Sequence, residues 1–272
     1  MRYRTVQGKN GHNIPCFSAV PKGAKAIITI SHGFRGHAGQ YNQLADCLIA
    51  NKYGVYALDH RGHGRAPGEK GHITTYLDFV ADMQTLVDFI TMEHKLPIFT
   101  FGHSMGGLIT FLYGIKYPEK IKGQIFSAPA LGLPWGTSII PRWLYGFACK
   151  YFSKLRVYPV VSRSASRNEE FLRGLKKDPY VLKYATVGFF CEFFKAISWA
   201  KENDRDYRLP CLVLHGKDDK IIPFNRSEEI IKRIPAADKT LKLFPGFYHE
   251  LMQEPGSCEL REIILHWLKA RA

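Results

Sequence analysis

At 272 residues the chain can form one large α/β domain with an insertion or two smaller domains. Its composition, 46% hydrophobic and 23% charged, excludes intrinsic disorder, and no window approaches the roughly 18 uninterrupted apolar residues of a membrane span. The net charge of +14 comes with no recognisable nucleic-acid motif, so nucleic acid is not an expected partner.

The charge is uneven. Between Arg142 and Lys183 there are ten Lys/Arg against three Asp/Glu, which reads as a solvated basic face or a contact with an anionic membrane. The opening "MRYRTVQGKNGHNIPC" lacks an apolar run of signal-peptide length, so a cytoplasmic location is expected, with peripheral membrane contact allowed. Cys16, Cys47, Cys149, Cys191, Cys211 and Cys258 are scattered without a C-x-x-C pair and are expected to be ordinary thiols.

In chain order, "RYRTV" and "NIPCFSAV" flank the turn-prone "GKNGH" and predict a hairpin. "KAIITI" is a short β-branched run suited to a strand buried on both faces. "YNQLADCLIANKYG" places Leu44, Cys47 and Leu48 on one helical side and is expected to close at Gly54. "GVYALDHRGHG" follows as strand and loop. "TTYLDFVADMQTLVDFITMEH" is a helix with Leu77, Val80, Leu86 and Ile90 near helical spacing. "LPIFTFG" is a strand, "LITFLYGIKYP" a helix and "IKGQIFSAP" a strand. The rhythm breaks at "ALGLPWG" and resumes at "LPCLVLHGKDD", then "NRSEEIIKRI", "TLKLFPG" and "CELREIILHWLKAR". Alternating strands and helices predict an α/β fold with a mainly parallel sheet and right-handed crossovers. The gap at 133–207 exceeds any single crossover and reads as an inserted helical cap between core segments 1–132 and 208–272.

Gly102-His103-Ser104-Met105-Gly106 is G-x-S-x-G between a predicted strand and a predicted helix, the setting of a nucleophilic serine on a sharp turn. A serine hydroxyl is a weak nucleophile and needs a base, which in turn needs an orienting carboxylate. His249 follows the last predicted strand; His215, at a strand end, and His266, within a helix, compete with it. Asp218 and Asp219 are the candidate acids, and spacing from Gly216 favours Asp219. Two backbone N–H groups, of Met105 and of Phe34 in "SHGF", are candidate oxyanion donors. His60 and His63 lack the further ligands a metal needs and read as a structural loop; no metal or organic cofactor is called for.

"SHGFRGHAGQY", "LDHRGHG", "GHSMGG", "HGKDD" and "FYHE" resemble the monoacylglycerol lipase and lysophospholipase group of α/β-hydrolases over nearly the whole chain. The resemblance is weak in the cap, where "KDPY" alone is familiar. It implies an eight-stranded sheet, a lipid-facing cap, and an acid at the last position of H-G-x-x-D, which is Asp219. Ala66 stands where many members have serine, and Gln40 where some monoacylglycerol lipases have a glycerol-binding arginine, so head-group preference is left open.

The cap holds two aromatic-rich stripes, Trp135, Ile139, Ile140, Trp143, Leu144 and Phe147, and Phe189, Phe190, Phe193, Phe194 and Ile197. Most are expected to pack cap on core, and the surplus to line an apolar acyl tunnel. Candidate substrate contacts are His37, Gln40, Trp135, Ile139, Trp143, Phe189 and Phe193. The resulting expectation is a serine carboxylester hydrolase acting on a small acyl-lipid substrate, foremost a monoacylglycerol. A lysophospholipase, a general carboxylesterase, an acyltransferase and a non-catalytic lipid-binding protein are the alternatives, and a homodimer is allowed. An aminopeptidase would need acidic groups in the cap for the free amine, and this cap is basic.

Overall fold

The computed structural model describes residues 1–8, 11–132, 142–159 and 164–272. β1 (Arg2–Gln7) and β2 (Asn13–Ala19) pair antiparallel, as the flanks of "GKNGH" predict. There follow β3 (Ala26–Ser31), α1 (Asn42–Ala50), β4 (Tyr53–Leu58), α2 (Leu77–Glu93), β5 (Ile98–His103), α3 (Met105–Lys116) and β6 (Gly123–Ser127). The insertion contributes α4 (Arg142–Tyr151), β7 (Arg156–Val157), α5 (Glu169–Lys177), β8 (Ala185–Thr186) and α6 (Val187–Glu202). The core closes with β9 (Cys211–Gly216), α7 (Asn225–Arg233), β10 (Lys239–Phe244) and α8 (Ser257–Lys269).

Eight strands form one sheet in the order β1-β2-β4-β3-β5-β6-β9-β10, parallel from β4 to β10, with the hairpin antiparallel at one edge. Every residue of β3, β4, β5, β6 and β9 is buried, which is why "AIITIS" reads as a continuous apolar run rather than an alternating one. Leu44 and Leu48 of α1 and Leu260, Ile264 and Trp267 of α8 cover one face. Val80, Met83 and Leu86 of α2, Leu108 and Phe111 of α3 and Ile230 of α7 cover the other. This is the α/β-hydrolase arrangement, and it sets the loops after β3, β5, β9 and β10 along the carboxyl ends of the strands, where such sheets place their sites.

Three expectations need correction. Gly54 does not close α1: it lies inside β4, opposite Ile27, where a Cβ would stand 3.0 Å from Ile27 Cγ1. The helix is ended by Asn51, whose Nδ2 donates to the Cys47 carbonyl at 2.8 Å, and by Lys52 at φ 64°. Leu77 begins α2 but is 43% exposed; the buried face is Phe79, Val80, Met83, Leu86, Val87 and Ile90. Cys149 and Cys191 are not free thiols but a disulfide, with Cα atoms 5.9 Å apart. They are 42 residues apart in sequence and meet because α4 packs on α6, so spacing could not show the pair. Disulfides persist in oxidising compartments, so the cysteines do not argue for a cytoplasmic location. Among the described residues no helix is long and apolar enough to cross a membrane.

Candidate active site

Ser104 sits between the end of β5 and the first turn of α3 at φ 52°, ψ −117°, backbone angles that L-residues rarely adopt. The turn is this tight because strand and helix nearly touch. A Cβ on Gly106 would run into the Ser31 carbonyl, and one on Gly107 would lie 2.8 Å from Pro129 Cβ. The hydroxyl is thereby held out over the ends of the strands with the N-terminus of α3 beneath it.

His249 is brought to Ser104 by the loop after β10. Its Nε2 is 2.9 Å from Ser104 Oγ and its Nδ1 is 2.7 Å from Asp219 Oδ2. All three residues are buried. Asp219 Oδ1 accepts the backbone N–H groups of Ile221 at 2.8 Å and Ile222 at 3.0 Å. Its Oδ2 also faces His215 Nε2 at 3.1 Å. That nitrogen faces a second acceptor, the Ile222 carbonyl, so it carries the proton, while His215 Nδ1 accepts from Ser227 Oγ at 2.7 Å. His215 therefore donates to the same carboxylate oxygen as His249. Asp218 points elsewhere: its Oδ2 accepts the Gly246 N–H at 2.6 Å on the surface. His266 stays on α8.

The electrostatics follow from these contacts. Burial alone would raise Asp219, but His249 and His215 hold it well below the usual carboxylate range. Burial alone would lower His249, but the charge and hydrogen bond of Asp219, with Glu250 adding to them, lift it above the ordinary histidine value. Such a chain can take a proton from Ser104 and stabilise the imidazolium that results. Among the described residues neither the Phe34 nor the Met105 N–H is spent on a protein acceptor, so both are free to receive a developing oxyanion.

A cavity of about 270 Å³ opens over Ser104 and His249. Phe34, Leu175, Val181 and Ile221 give it an apolar wall; beside Ser104 and His249, its polar and charged lining among the described residues is Arg35, Gln40, His103 and Glu250. Glu250 Oε2 lies 3.3 Å from His103 Nε2, which ties the histidine loop to the serine turn. Gln40 reaches the cavity, while His37 does not: its Nε2 holds Asp178 of "KDPY" at 2.8 Å, and Tyr180 packs against the His37 ring and under the Arg65 guanidinium. Phe189 is 1% exposed and stacks on Phe34 with ring centroids 5.0 Å apart. With Ile73, Phe79, Met105 and Ile109 it forms a cluster joining cap to core, against which Phe193 packs; neither phenylalanine is among the described cavity residues. Trp135 and Ile139 lie outside the described residues, as does the Trp143 side chain. His60 bonds Ser31 Oγ at 2.7 Å, and His60 and His63 pack around His32 in a fully buried cluster. Arg35, Leu175, Val181, Ile221 and Glu250 escaped sequence reasoning. Arg35 and Glu250 stand next to singled-out residues, but the three aliphatics give no local signal.

Known proteins resemble this chain over most of its length. A family model described as serine aminopeptidase, S33, matches residues 22–256. A monoacylglycerol lipase of Mycolicibacterium smegmatis is 31% identical over 246 residues, 90% of this chain and 88% of the relative. A monoglyceride lipase of Rattus norvegicus is 31% identical over 264 residues, 94% of this chain and 86% of the relative. The crystal structure of a Paleococcus ferrophilus monoacylglycerol lipase superposes with a TM-score of 0.86 over the whole of both chains, at 26% identity. The chain therefore belongs to the serine aminopeptidase S33 family of α/β-hydrolases, as a hydrolase similar to the monoacylglycerol lipases.

Proposed function

We propose that the protein hydrolyses carboxylic esters of monoacyl lipids through an acyl-enzyme on Ser104. His249 takes the serine proton as Ser104 attacks the ester carbonyl, then delivers it to the leaving alcohol. Asp219 orients the imidazole, and the Phe34 and Met105 N–H groups hold the oxyanion. Water, activated by the same histidine, then releases the fatty acid. The observation that carries this reading is the continuous hydrogen-bonded chain Ser104–His249–Asp219, at 2.9 and 2.7 Å, on the floor of a cavity. The apolar wall suits one acyl chain, each buried CH₂ of which contributes about 0.8 kcal/mol. An aminopeptidase, which needs carboxylates for the substrate's free amine, is less well supported: among the described lining residues Glu250 is the lone carboxylate, its Oε2 3.3 Å from His103 Nε2, and Arg35 adds a cation.

Peripheral contact with an anionic membrane belongs to the same reading. Phe147, Tyr151, Phe152, Leu155 and Tyr158 are exposed along the cap, beside Lys150 and Arg156. Aromatic side chains interleaved with cations suit the headgroup–acyl boundary.

A fluorophosphonate should label Ser104 stoichiometrically, and Ser104→Ala should abolish both labelling and hydrolysis of p-nitrophenyl esters with little change in Tm. Near-normal turnover by the variant would overturn the mechanism. Kinetics on mono-, di- and triacylglycerols of one chain length should favour the monoacyl substrate.

A further inference from the structure

Arg35 is the next residue after Phe34, the candidate oxyanion donor, and its half-buried side chain lines the cavity. Its Nε donates to the Leu182 carbonyl at 2.6 Å and its Nη1 to the Pro159 carbonyl at 3.1 Å, both in the cap. A guanidinium has five N–H donors, so three remain. No carboxylate among the described residues lies within ion-pair distance of it. Residues 9–10, 133–141 and 160–163, the segments outside them, contain no aspartate or glutamate. The chain thus keeps a partly desolvated cation without an internal counter-ion beside its reactive serine, and burial pulls that cation below its ordinary pKa. It does so at φ 66°, where glycine would sit without strain. Binding two cap carbonyls explains why the side chain is ordered; it does not explain why the ordered group is charged.

Gln40 lines the same cavity, and its chemistry points the same way. Its Oε1 accepts the His37 N–H at 3.3 Å, so the amide has its NH₂ to offer. Glu250, the carboxylate among the described lining residues, has its Oε2 3.3 Å from His103 Nε2. Arg35 and the Gln40 amide thus both have N–H donors to spare in the cavity lining. A glycerol hydroxyl is both donor and acceptor and uses such a surface poorly. A phosphate oxygen only accepts, and the planar fork of a guanidinium matches two of them at once.

We propose that Arg35, with the Gln40 amide, is a binding subsite for an anionic phosphate head group, so that the preferred substrates are monoacyl glycerophosphates rather than neutral monoacylglycerols. This rests on the reading of Ser104 as the nucleophile of an ester hydrolase. The net charge of +14 would draw such substrates toward the enzyme.

The test compares kcat/KM for 1-lauroylglycerol, lauroyl lysophosphatidic acid and lauroyl lysophosphatidylcholine, all as monomers. The wild type should favour lysophosphatidic acid over lauroylglycerol about tenfold or more, as expected for charge-assisted hydrogen bonds to one phosphate. The zwitterionic lipid should gain less. Arg35→Gln should cut the ratio of lysophosphatidic acid to lauroylglycerol about tenfold, and Arg35→Lys, which keeps the charge but not the fork, should cut it less. A ratio cancels general damage from a displaced cap. Binding is read separately by thermal shift: sn-glycerol 3-phosphate should raise the Tm of the wild type more than glycerol or inorganic phosphate does, and the gain should vanish in Arg35→Gln. A wild-type ratio near one, or a ratio that neither Arg35 variant changes, would overturn the proposal. If no ester is hydrolysed and Ser104 resists fluorophosphonate, the hydrolase reading fails instead, and the thermal-shift arm alone decides the subsite.

Discussion

Replacing Asp219 by asparagine separates the proposed orienting acid from its neighbour. Asp219 Oδ1 faces two backbone N–H groups at 2.8 and 3.0 Å, and Oδ2 faces His249 Nδ1 at 2.7 Å and His215 Nε2 at 3.1 Å. Asparagine can keep its oxygen on the backbone pair. Its NH₂ would then confront two ring nitrogens that were donating. His249 can answer only by moving its proton to Nε2, which places N–H against the Ser104 hydroxyl and removes the base. Two charge-assisted bonds of about 1.5–3 kcal/mol each are lost. At about 1.4 kcal/mol per decade, kcat should fall by about 10²–10⁴. Asp218→Asn breaks only an exposed contact with the Gly246 N–H and should cost about threefold or less. The assay is steady-state hydrolysis of a p-nitrophenyl ester, with fluorophosphonate labelling rates as an independent readout of serine reactivity. A linked check uses pH. Because Asp219 is held below the usual carboxylate range in the folded state, it adds stability that is present above about pH 4 and is lost as pH falls below that. The Tm of the wild type should therefore drop more steeply below pH 4 than that of Asp219→Asn. Activity of Asp219→Asn within tenfold of wild type, or a larger loss in Asp218→Asn, would refute the assignment.

Because His249, the proposed base, must be neutral to take the proton and its pKa is raised, the acidic limb of kcat/KM should have its midpoint above about 6.5. Glu250 is one of the charges that raises it, so Glu250→Gln should shift that midpoint to lower pH; an unmoved or higher midpoint would contradict this. Gly106→Ala should overpack the contact with the Ser31 carbonyl and cost about 1–3 kcal/mol, seen as a lower urea midpoint, whereas an unchanged midpoint would show that the turn has slack. Charge reversal at Lys150, Lys176 and Lys177 should weaken co-sedimentation with anionic vesicles and reduce its salt dependence, and binding indifferent to salt would return these residues to a merely solvated face.

Local pattern alone reached the order of strands and helices, the serine turn and the candidate partners of that serine. These are properties of short segments: a β-branched run buried on both faces, a G-x-S-x-G between strand and helix, a histidine after the last strand. Where a local signal failed, a neighbouring strand had overridden it. Gly54 resembles a helix stop, yet it is glycine because β3 runs against it. Asp218 and Asp219 are equivalent as letters; the loop after β9 buries the second under Ile221 and Ile222 and leaves the first on the surface. His215 was visible only as a rival to His249, and its contact with the Asp219 carboxylate is set by Ser227, twelve residues further on. The cap was least legible. Its aromatic stripes suggested both packing and an acyl tunnel: Phe189 packs, stacking on Phe34, most of the first stripe lies outside the described residues, and among those described the apolar wall of the cavity is Phe34, Leu175, Val181 and Ile221. The Cys149–Cys191 bridge and the uncompensated charge of Arg35 belong to the tertiary structure as well. A disulfide needs two helices to pack side by side, and a guanidinium lacks a counter-ion only once every carboxylate has been placed; neither condition can be read from residues adjacent in the chain.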